Sequence, residues 1–180
     1  QGYFNIPVDH LLGMPILAKY FKESPIEDLV VVSPDHGSVT RARNLAQMLN
    51  CPIAIIDKRR PEPNKSEIMN IIGNIEGKNC IIIDDMIDTA GTLAKAANVL
   101  KEMGAKSVRA CATHPVLSGP AYERLAESAL EEIIVADTIP LSNDPAKDKS
   151  KITVLSMSDI FADIIDKVYN YEEISSSFIN

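Results

Sequence analysis

Residues 81–92 read Ile-Ile-Ile-Asp-Asp-Met-Ile-Asp-Thr-Ala-Gly-Thr, and this stretch decides the fold. The apolar run over residues 80–83 is typical of a strand that is buried on both faces of a parallel sheet. Asp84 and Asp85 are expected at the C-terminal end of that strand, where open α/β sheets bind their ligands. A helix is predicted to begin near Leu93. The stretch therefore predicts a strand, a ligand-binding loop and a helix in direct succession.

The loop between the carboxylates and the helix contains small and hydroxyl-bearing residues: Asp88, Thr89, Ala90, Gly91 and Thr92. Such a loop can close around an anion, to which its amides and those of the first helical turn donate. The two carboxylates before it can accept hydrogen bonds from sugar hydroxyls, so the segment suits a sugar phosphate. The alternative is a strand followed by an ordinary Asp or Thr helix cap, which leaves the extra carboxylates unexplained.

Strands and helices alternate along the rest of the chain. This alternation predicts an α/β fold with a mostly parallel sheet and helices on both faces, formed by residues 1–180 as a single domain. The predicted strands are 28–32, 53–56, 66–72, 107–113, 133–136 and 152–155, and the predicted helices are 7–23, 36–50, 93–103, 119–126 and 156–169.

A second candidate anion loop, Asp35-His36-Gly37-Ser38, follows the first predicted strand. Asp35 could bind Mg²⁺ directly or through water. A plain Asp or Ser helix start explains the same residues equally well. His36 is expected to have no role of its own.

A cluster of cations, Lys58-Arg59-Arg60, follows the next predicted strand in a chain of net charge -7. Positive charge stabilises a transferring phosphoryl group, and strand alternation points Lys58 and Arg60 the same way. The alternative for an isolated cluster of this kind is a solvated basic turn. Arg41 and Arg43, on the helix after the first loop, are expected to be surface or interface charges.

Composition and charge exclude several classes of protein. The acidic balance argues against general nucleic-acid binding. The sequence has neither an apolar run long enough for a bilayer nor the pattern of a signal peptide at residue 1. Cys51, Cys80 and Cys111 are predicted to be reduced and mostly buried thiols, which indicates a cytoplasmic protein without membrane partners.

Together these segments resemble the ribose-phosphate pyrophosphokinase family, whose domains have the type I phosphoribosyltransferase fold. The resemblance rests on residues 81–92 and on four further segments in family order: 1–9, 33–37, 57–61 and 113–115. Members of the family are about twice as long and have two similar domains. The chain resembles the second of these, with the helical segment 1–23 at its start.

The resemblance implies Mg²⁺-dependent transfer of pyrophosphate from ATP to the C1 hydroxyl of ribose 5-phosphate, for nucleotide biosynthesis. The products are phosphoribosyl pyrophosphate and AMP. Lys58 and Arg60 would be catalytic, and residues 35–38 would form the pyrophosphate loop, with Asp35 at the metal. The residues implied for ribose 5-phosphate binding are Arg60, Asp84, Asp85, Asp88, Thr89, Ala90, Gly91 and Thr92. The family usually has glycine where this chain has Ser38, and serine there would cost about 1 kcal/mol if φ were positive.

The resemblance also implies partners and limits. It implies a homo-oligomer, a hexamer in the family, with inorganic phosphate and ADP as regulators. Two alternatives stay open from the residues: a phosphoribosyltransferase that consumes phosphoribosyl pyrophosphate, and a non-catalytic half-protein that binds ribose phosphate. The isolated chain is expected to be inactive, because the family's metal-binding histidine and part of its ATP site lie before the matching segment.

Overall fold

The computed structural model describes residues 2–59 and 68–174, without the side chains of residues 58, 59, 68 and 69. The strands are β1 (Leu29–Ser33), β2 (Ile53–Arg59), β3 (Ile68–Ile72), β4 (Asn79–Ile87), β5 (Ser107–Pro115), β6 (Glu132–Ala136) and β7 (Ile152–Leu155). The helices are α1 (Met14–Glu23), α2 (Val39–Leu49), α3 (Gly91–Glu102), α4 (Ala121–Glu127) and α5 (Ser158–Tyr169).

These strands form one seven-stranded sheet in the order β3-β2-β1-β4-β5-β6-β7. Strand β3 is antiparallel to β2, and the other neighbouring strands are parallel. The chain leaves β1 towards β2 on one side and returns to β4 on the other. The loops after β1 and β4 therefore flank the point where the strand order reverses, which is where open α/β sheets place ligands.

Strand β4 lies at the centre because its apolar side chains are buried on both faces. Ile81 and Ile83 pack with Leu17 of α1 and Leu45 of α2 on one face. On the other face, Cys80 and Ile82 pack in a cluster that includes residues of α3 and α4. This burial on both faces matches the prediction from residues 80–83 and confirms the α/β fold class.

Two predicted boundaries near the ligand loops are wrong. Strand β4 continues to Ile87 and pairs with β5 from Asn79↔Ser107 to Ile87↔Pro115, so Asp84 and Asp85 lie inside the strand rather than after it. Residues 35–38 form the turn that precedes α2 and are not its first helical turn. Pairing with β5 thus continues past the point where the change from apolar to acidic residues predicted the end of the strand.

The N-terminal helix is also shorter than predicted. Helix α1 begins at Met14 rather than at residue 7, and proline lies in its first turn. Gly13 packs closely on β5, since a Cβ there would lie 2.6 Å from the Thr113 side chain. Among the described residues, no helix is both long enough and apolar enough to cross a membrane.

Candidate functional site

The loop over residues 35–38 is held together by local hydrogen bonds. The Ser33 hydroxyl donates to the Asp35 carbonyl at 2.6 Å, and the Ser38 amide donates to Asp35 Oδ1 at 2.9 Å. Ser38 has φ -91°, so serine causes no left-handed strain at this position. No side chain caps α2 among the described residues, which leaves the first-turn amides to a ligand or solvent.

The loop over residues 88–92 is shaped by a left-handed alanine. Ala90 has φ 57° and is the N-cap residue of α3, whereas Gly91 does not adopt positive φ. A Cβ at position 91 would lie 3.2 Å from Arg124 Nη1, so a larger residue there would require a small shift of the arginine side chain. The Asp88 carboxylate accepts a hydrogen bond from the Ser118 hydroxyl, and α3 has no side-chain cap. The loop is therefore not the ordinary helix cap considered as the alternative.

Arg41 joins the first loop to the carboxylate pair on β4. Its Nη1 lies 3.1 Å from Asp84 Oδ1 and its Nη2 lies 3.1 Å from Asp85 Oδ2. Nη1 also donates to the Ser38 hydroxyl at 3.1 Å. The prediction that Arg41 is a surface or interface charge did not anticipate these contacts: its side chain is 29% exposed, and its guanidinium meets Ser38 and the carboxylate pair. No local signal in the sequence pairs Arg41 with carboxylates 43 and 44 positions away.

The environment moves the pKa values of the two carboxyls in opposite directions. Burial, followed by the neighbouring Asp85, raises the pKa of Asp84 above its ordinary value. Burial also acts to raise the pKa of Asp85, but the Arg41 charge and hydrogen bonds from Asp84 and a backbone amide outweigh it and lower that pKa. As pH falls, Asp84 therefore takes up a proton before Asp85. At neutral pH, Arg41 partly neutralises the pair, which suits it to accept hydrogen bonds from neutral hydroxyls.

Arg124 is a second cation at the loop that the sequence did not single out. Its Nη1 donates to the Thr89 carbonyl at 3.0 Å, from helix α4 to the loop before α3. The segment before α4 contacts the same loop, because the amides of Leu117 and Ser118 donate to the Ile87 and Asp88 carbonyls at 2.9 and 3.2 Å. These contacts fix the candidate phosphate loop against α4.

The segment with Lys58 lies at the end of β2, next to β1. The backbone of Lys58 pairs with Met69 of β3. Arg60 and the side chain of Lys58 lie outside the described residues, so their common orientation stays a prediction. One residue earlier, Asp57 Oδ1 lies 2.9 Å from His36 Nε2. His36 was expected to have no role, and it instead connects the first loop to this strand.

A cavity of about 980 Å³ opens beside the carboxylate pair. Its lining includes residues 8–14, Arg41, both aspartates and His114. The Thr138 hydroxyl donates to the Thr113 carbonyl at 2.9 Å and lies 2.9 Å from His114 Nδ1. Because that hydroxyl proton is already used, the imidazole donates from Nδ1, and neutral His114 keeps a lone pair on Nε2.

Asp35 is the candidate metal-binding residue. No group of three or more His, Cys, Asp or Glu side chains able to hold a metal occurs among the described residues. One oxygen of Asp35 accepts the Ser38 amide, and its other oxygen makes no hydrogen bond that we observe in this part of the chain. This arrangement fits Mg²⁺, which commonly binds through one or two carboxylates, water and substrate phosphates.

Comparison with known proteins identifies the family. Residues 60–179 match the model of the phosphoribosyl synthetase-associated domain. Over 99% of its length the chain is 61% identical to ribose-phosphate pyrophosphokinase of Clostridium perfringens and 57% identical to that of Bacillus caldolyticus. It spans 56% of the length of each of these relatives.

Solved structures agree with this comparison. Phosphoribosylpyrophosphate synthetase from Mycobacterium smegmatis matches with a TM-score of 0.83 and 44% identity, over 95% of this chain and 55% of that one. Orotate phosphoribosyltransferase from Aeropyrum pernix matches with a TM-score of 0.56 at 17% identity, over 84% and 73%, which shows a shared fold only. The chain matches about half of the length of each of these proteins, and it belongs to the ribose-phosphate pyrophosphokinase family.

Proposed function

We propose that this chain forms the ribose-phosphate-binding half of a ribose-phosphate diphosphokinase. The complete enzyme transfers pyrophosphate from ATP to the C1 hydroxyl of ribose 5-phosphate and releases AMP. The names of its relatives support this reaction. The geometry of the present chain supports the part of it that requires binding of the sugar phosphate and of a second anion. As in the family, the enzyme would serve nucleotide biosynthesis in the cytoplasm.

One observation carries the proposal: the α2 and α3 N-termini lack side-chain caps and lie beside an Arg41-bridged carboxylate pair at the switch point. Uncapped helix starts offer amide donors and a positive dipole end to anions. There are thus two anion sites, and the carboxylates between them can accept hydrogen bonds from hydroxyls. This combination suits a phosphorylated sugar that reacts with a polyphosphate.

Each segment then has a separate task. Residues 88–92 hold the 5-phosphate, with Thr89 and Thr92 adding hydroxyl donors. Asp84 and Asp85 accept hydrogen bonds from ribose hydroxyls, because Arg41 already neutralises part of their charge. Residues 35–38 hold the pyrophosphoryl group of ATP.

Lys58 and Arg60 neutralise the charge that develops on the transferring group. Electrostatic positioning of this kind dominates phosphoryl transfer, where the protein forms no covalent bond. Magnesium bound at Asp35 would supply further neutralisation of the phosphates. Inorganic phosphate and ADP as regulators, and a homo-hexamer, belong to the same proposal.

The isolated chain should not form phosphoribosyl pyrophosphate. The reaction needs ATP and sugar phosphate held in line, and loss of that orientation can remove on the order of 7 kcal/mol of catalysis. The chain spans only 56% of the length of its relatives, and we assign none of its segments to binding of the adenine base. Incubation with Mg²⁺, ATP and ribose 5-phosphate tests this expectation. AMP formation that depends on the sugar phosphate and is lost in Lys58→Ala would contradict it.

Binding of ribose 5-phosphate by the isolated chain is the direct test of the proposed site. Thr92 and Thr40 are each the second residue of their helices, α3 and α2, so they form a matched pair. Thr92→Val should weaken ribose 5-phosphate binding by about tenfold to a hundredfold, since a hydrogen bond to a charged group contributes about 1.5 to 3 kcal/mol. Thr40→Val should leave that affinity unchanged. Calorimetry in which both variants bind like wild type would refute the assignment.

A further inference from the structure

The contact between His36 and Asp57 joins two segments that lie 21 positions apart in the sequence. The side chain of Asp57 is 11% exposed and that of His36 is 64% exposed. A carboxylate has no hydrogen to donate, so the imidazole donates from Nε2 to Oδ1 over 2.9 Å. The contact is therefore charge-assisted on the acceptor side, and a largely buried oxygen receives it.

The position of this contact in the sheet gives it significance. Strands β1 and β2 are in register from Val31↔Ile53 to Ser33↔Ile55, and Asp57 lies two residues beyond the last pair. Past that point β1 has turned into the loop over residues 35–38. The imidazole thus continues the connection between β1 and β2 where backbone pairing between them has ended.

A polyphosphate requires an anion-binding loop and a cation, and the two residues of the contact are adjacent in sequence to these. His36 lies inside the first anion loop, between Asp35 and Gly37. Asp57 immediately precedes Lys58 on β2. A shift of the loop relative to β2 would change the distance between a bound anion and the Lys58 cation. A misplacement of about 1 Å can cost a factor of 100 in rate.

An ordinary stabilising role explains these features less well. Ion pairs of exposed side chains contribute only about 0.2 to 1 kcal/mol to stability. The donor here is mostly exposed, so the contact adds little to the folded state. Its value lies in fixing the relative position of the loop and the end of β2, beyond the last backbone pair between β1 and β2.

We propose that His36 is a positioning residue that holds the anion loop at a fixed distance from the Lys58 segment through Asp57. The inference rests on the proposed function in one respect, the assignment of residues 35–38 to pyrophosphate. It adds a role for His36 that neither the motif nor the fold requires.

The test uses the chain itself and magnesium pyrophosphate as the probe. His36→Ala should weaken pyrophosphate binding about two- to fivefold in calorimetry, and it should leave ribose 5-phosphate binding unchanged. His36→Gln should restore most of the affinity, because the glutamine amide can donate from a similar reach. The effect of His36→Ala should be smaller in an Asp57→Asn background, as expected for two residues that act together.

Hydrogen exchange separates positioning from mere stabilisation. Pyrophosphate should slow exchange of the Lys58 and Arg59 amides in wild type and in His36→Gln, but not in His36→Ala. Lys78→Ala is the matched control, since it removes the 2.6 Å ion pair with Asp28, which also joins distant segments. This control should bind pyrophosphate like wild type.

Three results would overturn the inference. They are equal pyrophosphate affinity in His36→Ala and Lys78→Ala, failure of glutamine to restore binding, or unchanged amide protection in His36→Ala. If wild type binds ribose 5-phosphate and pyrophosphate while His36→Ala behaves normally, only the inference fails. If wild type binds neither, the proposed function fails as well.

Discussion

Replacing Arg41 by methionine tests the bridge at the centre of the candidate site. Methionine keeps an apolar stem on α2 and removes the guanidinium. The change eliminates two ionic contacts of 3.1 Å, to Asp84 and Asp85, and a 3.1 Å hydrogen bond to Ser38. It leaves two neighbouring carboxylates without the cation that bridges them.

The expected cost follows from the exposure of these side chains. Arg41 is 29% exposed, Asp84 33% and Asp85 54%. Fully exposed pairs contribute about 0.2 to 1 kcal/mol, while hydrogen bonds to charged groups contribute about 1.5 to 3. Partial burial places the Asp84 contact near 1 kcal/mol, and the Asp85 and Ser38 contacts near 0.5 kcal/mol each. We therefore expect the free energy of unfolding to fall by about 2 kcal/mol.

Urea denaturation at pH 7 measures this loss. With a slope of about 2 kcal/mol per molar urea, the midpoint should fall by about 1 M. Arg43→Met, on the same helix at an exposed position, is the control and should shift the midpoint far less. Equal shifts in the two variants would refute the argument that Arg41 stabilises the site through its carboxylate contacts.

The pH dependence provides a second check with a definite sign. The lowered pKa of Asp85 means that its contribution to stability is present above the ordinary aspartate value and is lost as pH falls through the lowered one. The raised pKa of Asp84 means that its ionisation costs stability as pH rises through it, and Arg41 reduces that cost. The difference between wild type and Arg41→Met should thus shrink on acidification, first as pH falls through the raised pKa of Asp84, above the ordinary aspartate value, and then as it falls through the lowered pKa of Asp85. A difference that grows on acidification would contradict this reasoning.

Three further predictions concern packing, thiol chemistry and the phosphate loop. Gly73→Ala should lower the free energy of unfolding by about 2 kcal/mol, because φ is +116° and a Cβ would lie 3.0 Å from the backbone of β2. At Gly77, φ is +69° and the space around a Cβ is open, so Gly77→Ala should lower it by about 1 kcal/mol. Burial raises the pKa of Cys80 to about 11 and also raises that of Cys111, so these two thiols should react slowly with a thiol reagent at pH 8 in the native protein and quickly in urea. Rapid native labelling of either, identified by mass spectrometry, would contradict this. Arg124→Gln should weaken ribose 5-phosphate binding about fivefold by releasing the Thr89 carbonyl, without changing pyrophosphate affinity, and calorimetry showing no loss would exclude this role.

The sequence alone determined the order of the elements and the end of the sheet that carries the site. Apolar runs such as residues 80–83 require burial on both faces, and the alternation with amphipathic segments requires helices around a parallel sheet. Small, hydroxyl-bearing and acidic residues mark the loops at residues 35–38 and 88–92 without any tertiary information. These signals are local, because hydrophobic periodicity and loop composition are properties of short segments.

Some local details still required the backbone. The end of β4 could not be read from polarity, because pairing with β5 extends the strand through both aspartates. The left-handed residue in the candidate phosphate loop is Ala90 rather than the neighbouring glycine. Ser38 proved unstrained because the turn at residues 35–38 has negative φ at that position.

The contacts that connect the site were decided only by the tertiary structure. Arg41 meets Asp84 across 43 positions, Arg124 meets Thr89 across 35, and His36 meets Asp57 across 21. No short-range pattern encodes these partners. The reversal of strand order places β1 between β2 and β4. That arrangement brings the C-terminal ends of these three parallel strands together on the same side of the molecule.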